Sequence, residues 1–406
     1  MAKLYQKLQP LFVFTFRELV CRLIGFLLAE YRMEAGSMFD FFFPTEGMGS
    51  QTLRLVAEAS QGGGDPFEIA RVCKEIEPGN LESWESQWVK KAEDTEDRAE
   101  QCLLNGQKRS AMQYFFAANQ YWRMADVFLR IDRNDDKAAY FKKSQKNFRS
   151  AAALHDPRIE VIEVRCGDET YDGYFCHPRN PKPGKWPAIF FIGGADAFAE
   201  EIYFSGREMT ERGYALLLVD TPGRGSSMYV KGIPTRPDYE VPGKACFDYL
   251  FSRPEVDDER VGLMGISMAG YYAPRVAAFE DRIKCLVSWA GCYSILDDLY
   301  DFYEHLQPTV QRLLGGVSHN EARKQLKSFT MEGIAQNIKV PTLMTHGTAD
   351  KLMNWEGAKR LFDEIGAEDK TLVLYDDPKV GGTVHCSHDC WVHQTPMIMD
   401  WIEEHL

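Results

Sequence analysis

Residues 261–270 read VGLMGISMAG. Val261, Leu263 and Met264 suit a short buried strand, and Gly265, Ser267, Ala269 and Gly270 supply compact residues where a strand would turn sharply into a helix. Such a turn holds a serine hydroxyl on strained backbone above an α/β sheet. A Gly- and Ser-rich turn without chemistry would use the same letters. The rest of the chain has to choose.

Around this stretch lies a series of short apolar segments: PAIFFIGG, YALLLVD, RVGLMGIS, IKCLVSWAG, VPTLMTHG and KTLVLYDD. Most are separated by enough chain for a helix, which reads as buried parallel strands with helical crossovers. Just before them, IEVIEVRC and ETYDGYFCHP alternate as antiparallel strands do, joined at Gly167-Asp168. A longer insertion at about 293–335 interrupts the series with ILDDLYDFYEHLQPTVQRLL and more helical sequence. From about residue 50 to 154 the texture differs. Trp84, Trp88, Ala92, Ala99 and Leu103, then Ala111, Phe115 and Ala118, recur at three or four positions, and Asn105-Gly106 breaks one helix from the next. We therefore expect a helical N-terminal region, 1–154, acting as a cap. It precedes an α/β domain, 155–406, with a mostly parallel sheet and helices on both faces.

Composition narrows the function classes. The net charge of −13 argues against a broad nucleic-acid surface, which needs concentrated Lys and Arg. Ten cysteines are scattered without a CxxC pair, so a reducing, cytoplasmic setting is expected. Cys386 and Cys390 stand among His385, His388 and His393, but further zinc ligands at definite spacing are not evident, and no metal is expected. The turn in LLLVDTPGRGSS lacks the GxGxxG pattern, so no nucleotide cofactor is expected either. Asp220 there reads as structural, and Arg224 as a contact between the two regions. The stretch LFVFTFRELVCRLIGFLLAEYRM at 11–33 is apolar but broken by Arg17, Glu18, Arg22 and Glu30. That pattern suits an amphipathic helix better than a membrane span. Together with FDFFFP at 39–44, it suggests burial in the cap or in a homodimer.

Ligands of open α/β sheets sit beyond the carboxyl ends of the strands. There the chain places Ser267, then Asp350 in a loop between strand and helix, then His385 after the last strand. Serine is a poor nucleophile until a base takes its proton and an acid orients that base. The order Ser267, Asp350, His385 is the chain order of α/β-hydrolase triads. His388 and His393 are rivals to His385 but stand nearer the final helix, and Asp350 could instead cap the helix that follows it. His346, at a strand end, reads as a packed or loop histidine. Oxyanion donors are expected at the Met268 N–H and, from FFIGGADAFAEE, at the Ala195 N–H. Asp196 in that loop is either a solvated carboxylate or a pocket group that binds or protonates substrate.

These residues together resemble a family. The helical N-terminal segment, the Gly193-Gly194 loop with acidic Asp196, the DTPGRG turn, the GISMAGYYAPR elbow and the His385-Cys386 pair are similar to α/β-hydrolases typified by bacterial 2,6-dihydroxypseudooxynicotine hydrolase and fungal yellowish-green-1-type polyketide hydrolases. The resemblance implies a Ser-Asp-His triad under a helical cap. It also implies a small-molecule substrate, polyketide-like or an aryl diketone, cleaved at a C–C bond beside a ketone. Ester hydrolysis, or cyclisation and acyl transfer in biosynthesis, are the family's other chemistries. The family's acidic pocket residue maps onto Asp196, here an aspartate in place of glutamate, and Ala269 stands where the usual elbow has glycine. A binding protein without catalysis would have no need of all three triad residues.

Overall fold

The computed structural model describes residues 42, 43 and 46–406; the apolar stretch 11–33 and most of 39–44 lie outside them. Five helices come first: α1 (Glu46–Ala59), α2 (Pro66–Glu75), α3 (Leu81–Leu104), α4 (Lys108–Asp126) and α5 (Asn134–Ala152). Local chemistry sets several of their ends. Asp65 caps α2 by accepting from the Glu68 N–H, ahead of Pro66 at the first helical position. Asn80 caps α3, and Gly106, at φ 74°, takes the left-handed conformation that closes it. The periodic residues Trp84, Trp88, Ala92, Ala99, Ala111, Phe115 and Ala118 are all buried. Leu103 departs from the expectation. It is 42% exposed, because in the last turn of α3 it is Cys102 that packs against the core.

The sheet follows: β1 (Ile159–Cys166), β2 (Glu169–Cys176), β3 (Trp186–Ile192), β4 (Ala215–Val219), β5 (Val256–Ile266), β6 (Leu286–Trp289), β7 (Thr342–Gly347) and β8 (Lys370–Tyr375). Its order is β1-β2-β4-β3-β5-β6-β7-β8. β1 and β2 form the antiparallel hairpin read from the alternation, and β2 pairs antiparallel with β4. From β4 onward every neighbour is parallel. The helices of this region are α6 (Ala199–Glu211), α7 (Gly225–Tyr229), α8 (Glu240–Ser252), α9 (Ala269–Ala277), α10 (Gln307–Leu313), α11 (His319–Leu326), α12 (Trp355–Glu364) and α13 (Trp391–His405).

The period of two in each strand divides the core. Ala188, Phe190 and Ile192 of β3 point to one face with Phe247 and Leu250 of α8, Tyr272 of α9 and Leu361 of α12. Ile189 and Phe191 point to the other, with Ile202 of α6 and Ile398 of α13. Phe115, Phe116 and Phe148 of α4 and α5 join this second face, so the early helices pack onto the sheet. The far ends of α3 and α4 form a further cluster around Trp84, Trp88 and Trp122. Arg312 of α10 donates to the carbonyls of Leu129 and Arg130 and to Asn134 Oδ1. This ties the insertion to the α4–α5 connection.

Candidate active site

The apolar run ending at Ile266 is the longest strand, and the chain reverses into α9 at Ser267. Ser267 stands at φ 60°, a left-handed conformation costing about 1–3 kcal/mol for a residue with a side chain. Backbone bonds hold it there: its N–H donates to the Trp289 carbonyl at 2.8 Å, and its own carbonyl accepts from Gly270 N–H at 2.7 Å. Gly265 makes the reversal possible, since a Cβ there would lie 2.2 Å from the Ala269 carbonyl oxygen. Ala269 is accommodated fully buried.

Ser267 Oγ lies 2.8 Å from His385 Nε2, and His385 Nδ1 lies 2.6 Å from Asp350 Oδ2. A carboxylate can only accept, so the proton on that side belongs to Nδ1, and the neutral ring presents a lone pair to the serine. Asp350 Oδ1 accepts from the Leu352 and Met353 N–H groups at 2.8 and 3.0 Å. It does not cap α12; Asn354 does, by accepting from Glu356 N–H. Burial works to raise the Asp350 pKa, but the His385 imidazole overrides it and the carboxyl is held below its ordinary value. Burial likewise pushes His385 down, and the Asp350 carboxylate more than reverses this, leaving the imidazole well above its ordinary value. The loop carrying His385 is strained in its turn: Cys386 and Ser387 stand at φ 51° and 49°. Ser387 Oγ bonds to the Gly382 carbonyl, and Trp391 Nε1 to that of Cys386.

Of the other histidines, His393 is exposed on α13. His388 lines the same cavity as Ser267, with its ring centroid 6.3 Å from that of His385. His346 is buried in β7, its Nε2 3.9 Å from Asp350 Oδ2.

The cavity at Ser267 has a volume of about 40 Å³, room for a few waters. Gly194 closes on the serine: a Cβ there would sit 2.9 Å from Ser267 Cβ and 3.1 Å from its Oγ. Among the described residues, no acceptor takes the N–H of Ala195 or of Met268. Arg224, read from sequence as a contact between regions, has another task. Its Nε donates to the Gly193 carbonyl at 2.7 Å, and its guanidinium lies 4.5 Å from the Tyr272 ring centroid. Its partners all fall in the sheet region, and it fixes the 193–195 loop. Asp220 is structural, accepting from the N–H groups of Ala199 and Ser226.

Sequence reading missed the far wall. Ser50, Gln51, Arg54 and Glu58 of α1 line the cavity. Arg54 Nη1 donates to Asp196 Oδ1 at 2.7 Å, Gln51 Nε2 to Oδ2 at 2.9 Å, and Arg123 of α4 reaches Oδ2 at 3.4 Å. Asp196 is therefore neither solvated nor free. Burial opposes its ionisation, but Arg54 and Arg123 outweigh that and hold the carboxyl far below its ordinary range. The signal was present as a polar stripe at 50, 54 and 58, one face of a helix. Its partners, about 140 residues away, were not.

The sheet order, the elbow after β5 and the crossover helices define an α/β-hydrolase. The chain belongs to the prolyl oligopeptidase family, a family of such enzymes, whose model matches residues 201–406. That span includes Ser267, Asp350 and His385 and leaves the first five helices outside. Alpha/beta hydrolase gkaG of Penicillium citrinum is 32% identical over 273 residues, 64% of this chain and 61% of the relative. Hydrolase pyiE of Pyricularia grisea is 30% identical over 297 residues, 66% of this chain and 62% of the relative. The chain thus spans about three fifths of the length of these curated relatives. In fold it is similar to 2,6-dihydroxy-pseudo-oxynicotine hydrolase, with a TM-score of 0.75 at 23% identity over 86% of this chain and 95% of the other. The AbyA5 structure also matches, with a TM-score of 0.66 at 17% identity over 87% and 93%. Both likenesses cover the early helices as well as the sheet. Among the described residues no helix is long and apolar enough to cross a membrane.

Proposed function

We propose that this chain is a serine hydrolase that cleaves a C–C bond beside a ketone in a polyketide-like or aryl diketone substrate. In this reading Ser267 attacks the carbonyl, His385 takes its proton, and Asp350 holds the imidazole in the required tautomer. The observation that carries the proposal is the unbroken hydrogen-bonded sequence Ser267–His385–Asp350 on a strained turn at the end of the longest strand. Residues 1–154 act as the cap over an α/β domain at 155–406. The carbon-cleaving preference follows the resemblance carried by the elbow, the DTPGRG turn and the Gly193-Gly194 loop, and the shared fold with 2,6-dihydroxy-pseudo-oxynicotine hydrolase over 86% of this chain is consistent with it.

The Met268 and Ala195 N–H groups, without acceptors among the described residues, are the donors for the oxyanion. A carbon leaving group departs only if its electron pair is absorbed, which selects substrates with a second carbonyl or an aryl ketone. Water then releases the acyl group from Ser267 as a carboxylic acid. Asp196, held as a carboxylate by two arginines, accepts hydrogen bonds from the cap and substrate but has no proton to give.

Gly194→Ala tests the oxyanion loop. The added methyl meets the serine side chain at contact distances that force one of them to move. The expected result is a fall in kcat of about 100-fold, the scale of losing one oxyanion donor. An unchanged kcat would separate this loop from the chemistry.

The reaction itself is tested by product mass spectrometry with an aryl β-diketone, an aryl ester of similar shape and a linear polyketide thioester. Acid release from the diketone is the expected result. Turnover of the ester alone would make this a carboxylesterase, and a product equal in mass to its substrate, or one water lighter, would make it a cyclase.

A further inference from the structure

The cap wall of the cavity carries a carboxyl group that neither the triad nor the oxyanion loop uses. Glu58, on the last turn of α1, lines the same cavity as Ser267, and its side chain is only 2% exposed. Its Oε1 accepts from Arg54 Nε at 3.3 Å, while its Oε2 is buried with no hydrogen-bond partner among the described residues. Around it stand Arg54 from its own helix, Arg123 from α4, Glu201 from α6 and Asp196 from the 193–196 loop, with His388 across the cavity.

Charge counting in this cluster leaves one proton over. Among the described residues, two guanidiniums face three carboxyl groups in a largely buried cluster, and an unbalanced buried charge is costly. Asp196 is satisfied by Arg54, Arg123 and Gln51. Glu201 makes ion pairs with both arginines through its Oε1, to Arg54 Nη2 and to Arg123 Nε at 3.2 Å, although its oxygens, like Glu58 Oε2, complete no hydrogen bond among the described residues. Among the described residues, Glu58 has one cationic contact, from Arg54 at 3.3 Å. It is the carboxyl that keeps its proton, and burial together with the neighbouring Glu201 drives its pKa well above the ordinary carboxylic value.

We propose that Glu58 is the general acid for the carbon leaving group, donating its proton to the second carbonyl oxygen of the substrate as the C–C bond breaks. The assignment rests on the C–C cleavage reading above. When the tetrahedral adduct on Ser267 collapses, the electron pair of the C–C bond becomes a C=C bond. The second carbonyl's π pair moves to its oxygen, and that oxygen takes the Glu58 proton. The group leaves as a neutral enol, which reverts to the ketone in solution. Glu58 is then a third carboxylate facing two arginines, an unfavourable state. It recovers its proton from the His385 imidazolium through water in the cavity. This restores neutral His385 as the base for the water that cleaves the acyl-enzyme. One water is consumed, and one carboxylic acid and one ketone are released.

An acid is needed only where the leaving group is poor, so the test compares two leaving groups on one acyl group. An aryl β-diketone is set beside the 4-nitrophenyl ester of the same acid. Glu58→Gln keeps the shape and removes the proton. Its diketone kcat/KM should fall about 100-fold or more, while its ester kcat/KM stays within about threefold, because nitrophenolate leaves unaided. Glu58→Asp, which withdraws the acid by one methylene, should show a smaller loss confined to the diketone, and it serves if the glutamine variant does not fold. A second readout is independent of substrate: wild type at neutral pH should show the infrared carbonyl band of a protonated carboxyl that Glu58→Gln lacks. Equal losses on both substrates, no loss on either, or absence of the band would overturn the assignment. A wild type that cleaves the ester but never the diketone would overturn the C–C reading, and this role with it; failure of the Glu58 assignment alone leaves wild-type diketone cleavage intact.

Discussion

Ser267→Ala is expected to lower turnover by about 10⁵–10⁶-fold, the scale of removing the nucleophile from a serine triad, while leaving the protein folded. The Ser267 hydroxyl has one hydrogen-bond partner among the described residues, His385 Nε2. The turn is held by the backbone, through the N–H to Trp289 and the carbonyl to Gly270. Alanine keeps both bonds and meets the same left-handed φ that serine already tolerates. The loss should therefore appear in kcat, with the melting temperature nearly unchanged. Labelling with a serine-reactive phosphonate reads the same event directly. Wild type should gain one adduct on the peptide containing Ser267, and the alanine variant none. Retained activity, or an adduct on another residue, would sink the covalent mechanism.

The second large effect belongs to Asp350→Asn. The isosteric amide keeps the volume of a fully buried group, yet it changes two things. Its NH₂ or C=O can be satisfied by the wrong ring tautomer of His385, and its negative charge is gone. The corresponding loss in a serine triad is about 10⁴-fold in kcat. The pH profile adds a sign. In wild type the Asp350 carboxylate, 2.6 Å from Nδ1, holds His385 above its ordinary value despite burial. The neutral, basic form therefore accumulates only as pH rises. kcat/KM should climb with pH through a midpoint above the ordinary histidine value of about 6.5. Removing the carboxylate takes away the largest influence that raises the imidazole while burial still pushes it down, and the residual activity of Asp350→Asn should rise through a midpoint at least about one unit lower. A midpoint that does not move down would mean that Asp350 does not set the charge of His385.

Much of the fold was legible because strands and helices are written locally. The period of two in IEVIEVRC, the unbroken apolar runs of β3 to β7 and the break at Asn105-Gly106 need only a few adjacent residues to be read. Leu103 misled for the complementary reason. Its spacing matched the buried face of α3, but in that last turn Leu103 and Leu104 stay exposed while Cys102 packs against the core. Arg224, expected to join the two regions, instead lies buried against Tyr272 with its Nε donating to the Gly193 carbonyl, because its partners are set by the fold of the sheet region and not by its place in a loop.

By itself the sequence determined which residues could do chemistry and in what order they occur: a serine between small residues after an apolar run, an aspartate after one strand, a histidine after the last. Local periodicity and turn chemistry carry that information. Only the tertiary structure decided distances and charge states. It brought Arg54 and Gln51 of α1 and Arg123 of α4 onto Asp196 and turned an apparent loop carboxylate into a fixed anion. It also left Glu58 short of a cation inside the same wall. The reason is physical. A side chain's protonation depends on burial and on the charges within a few ångströms, and those neighbours come from segments that no local pattern connects.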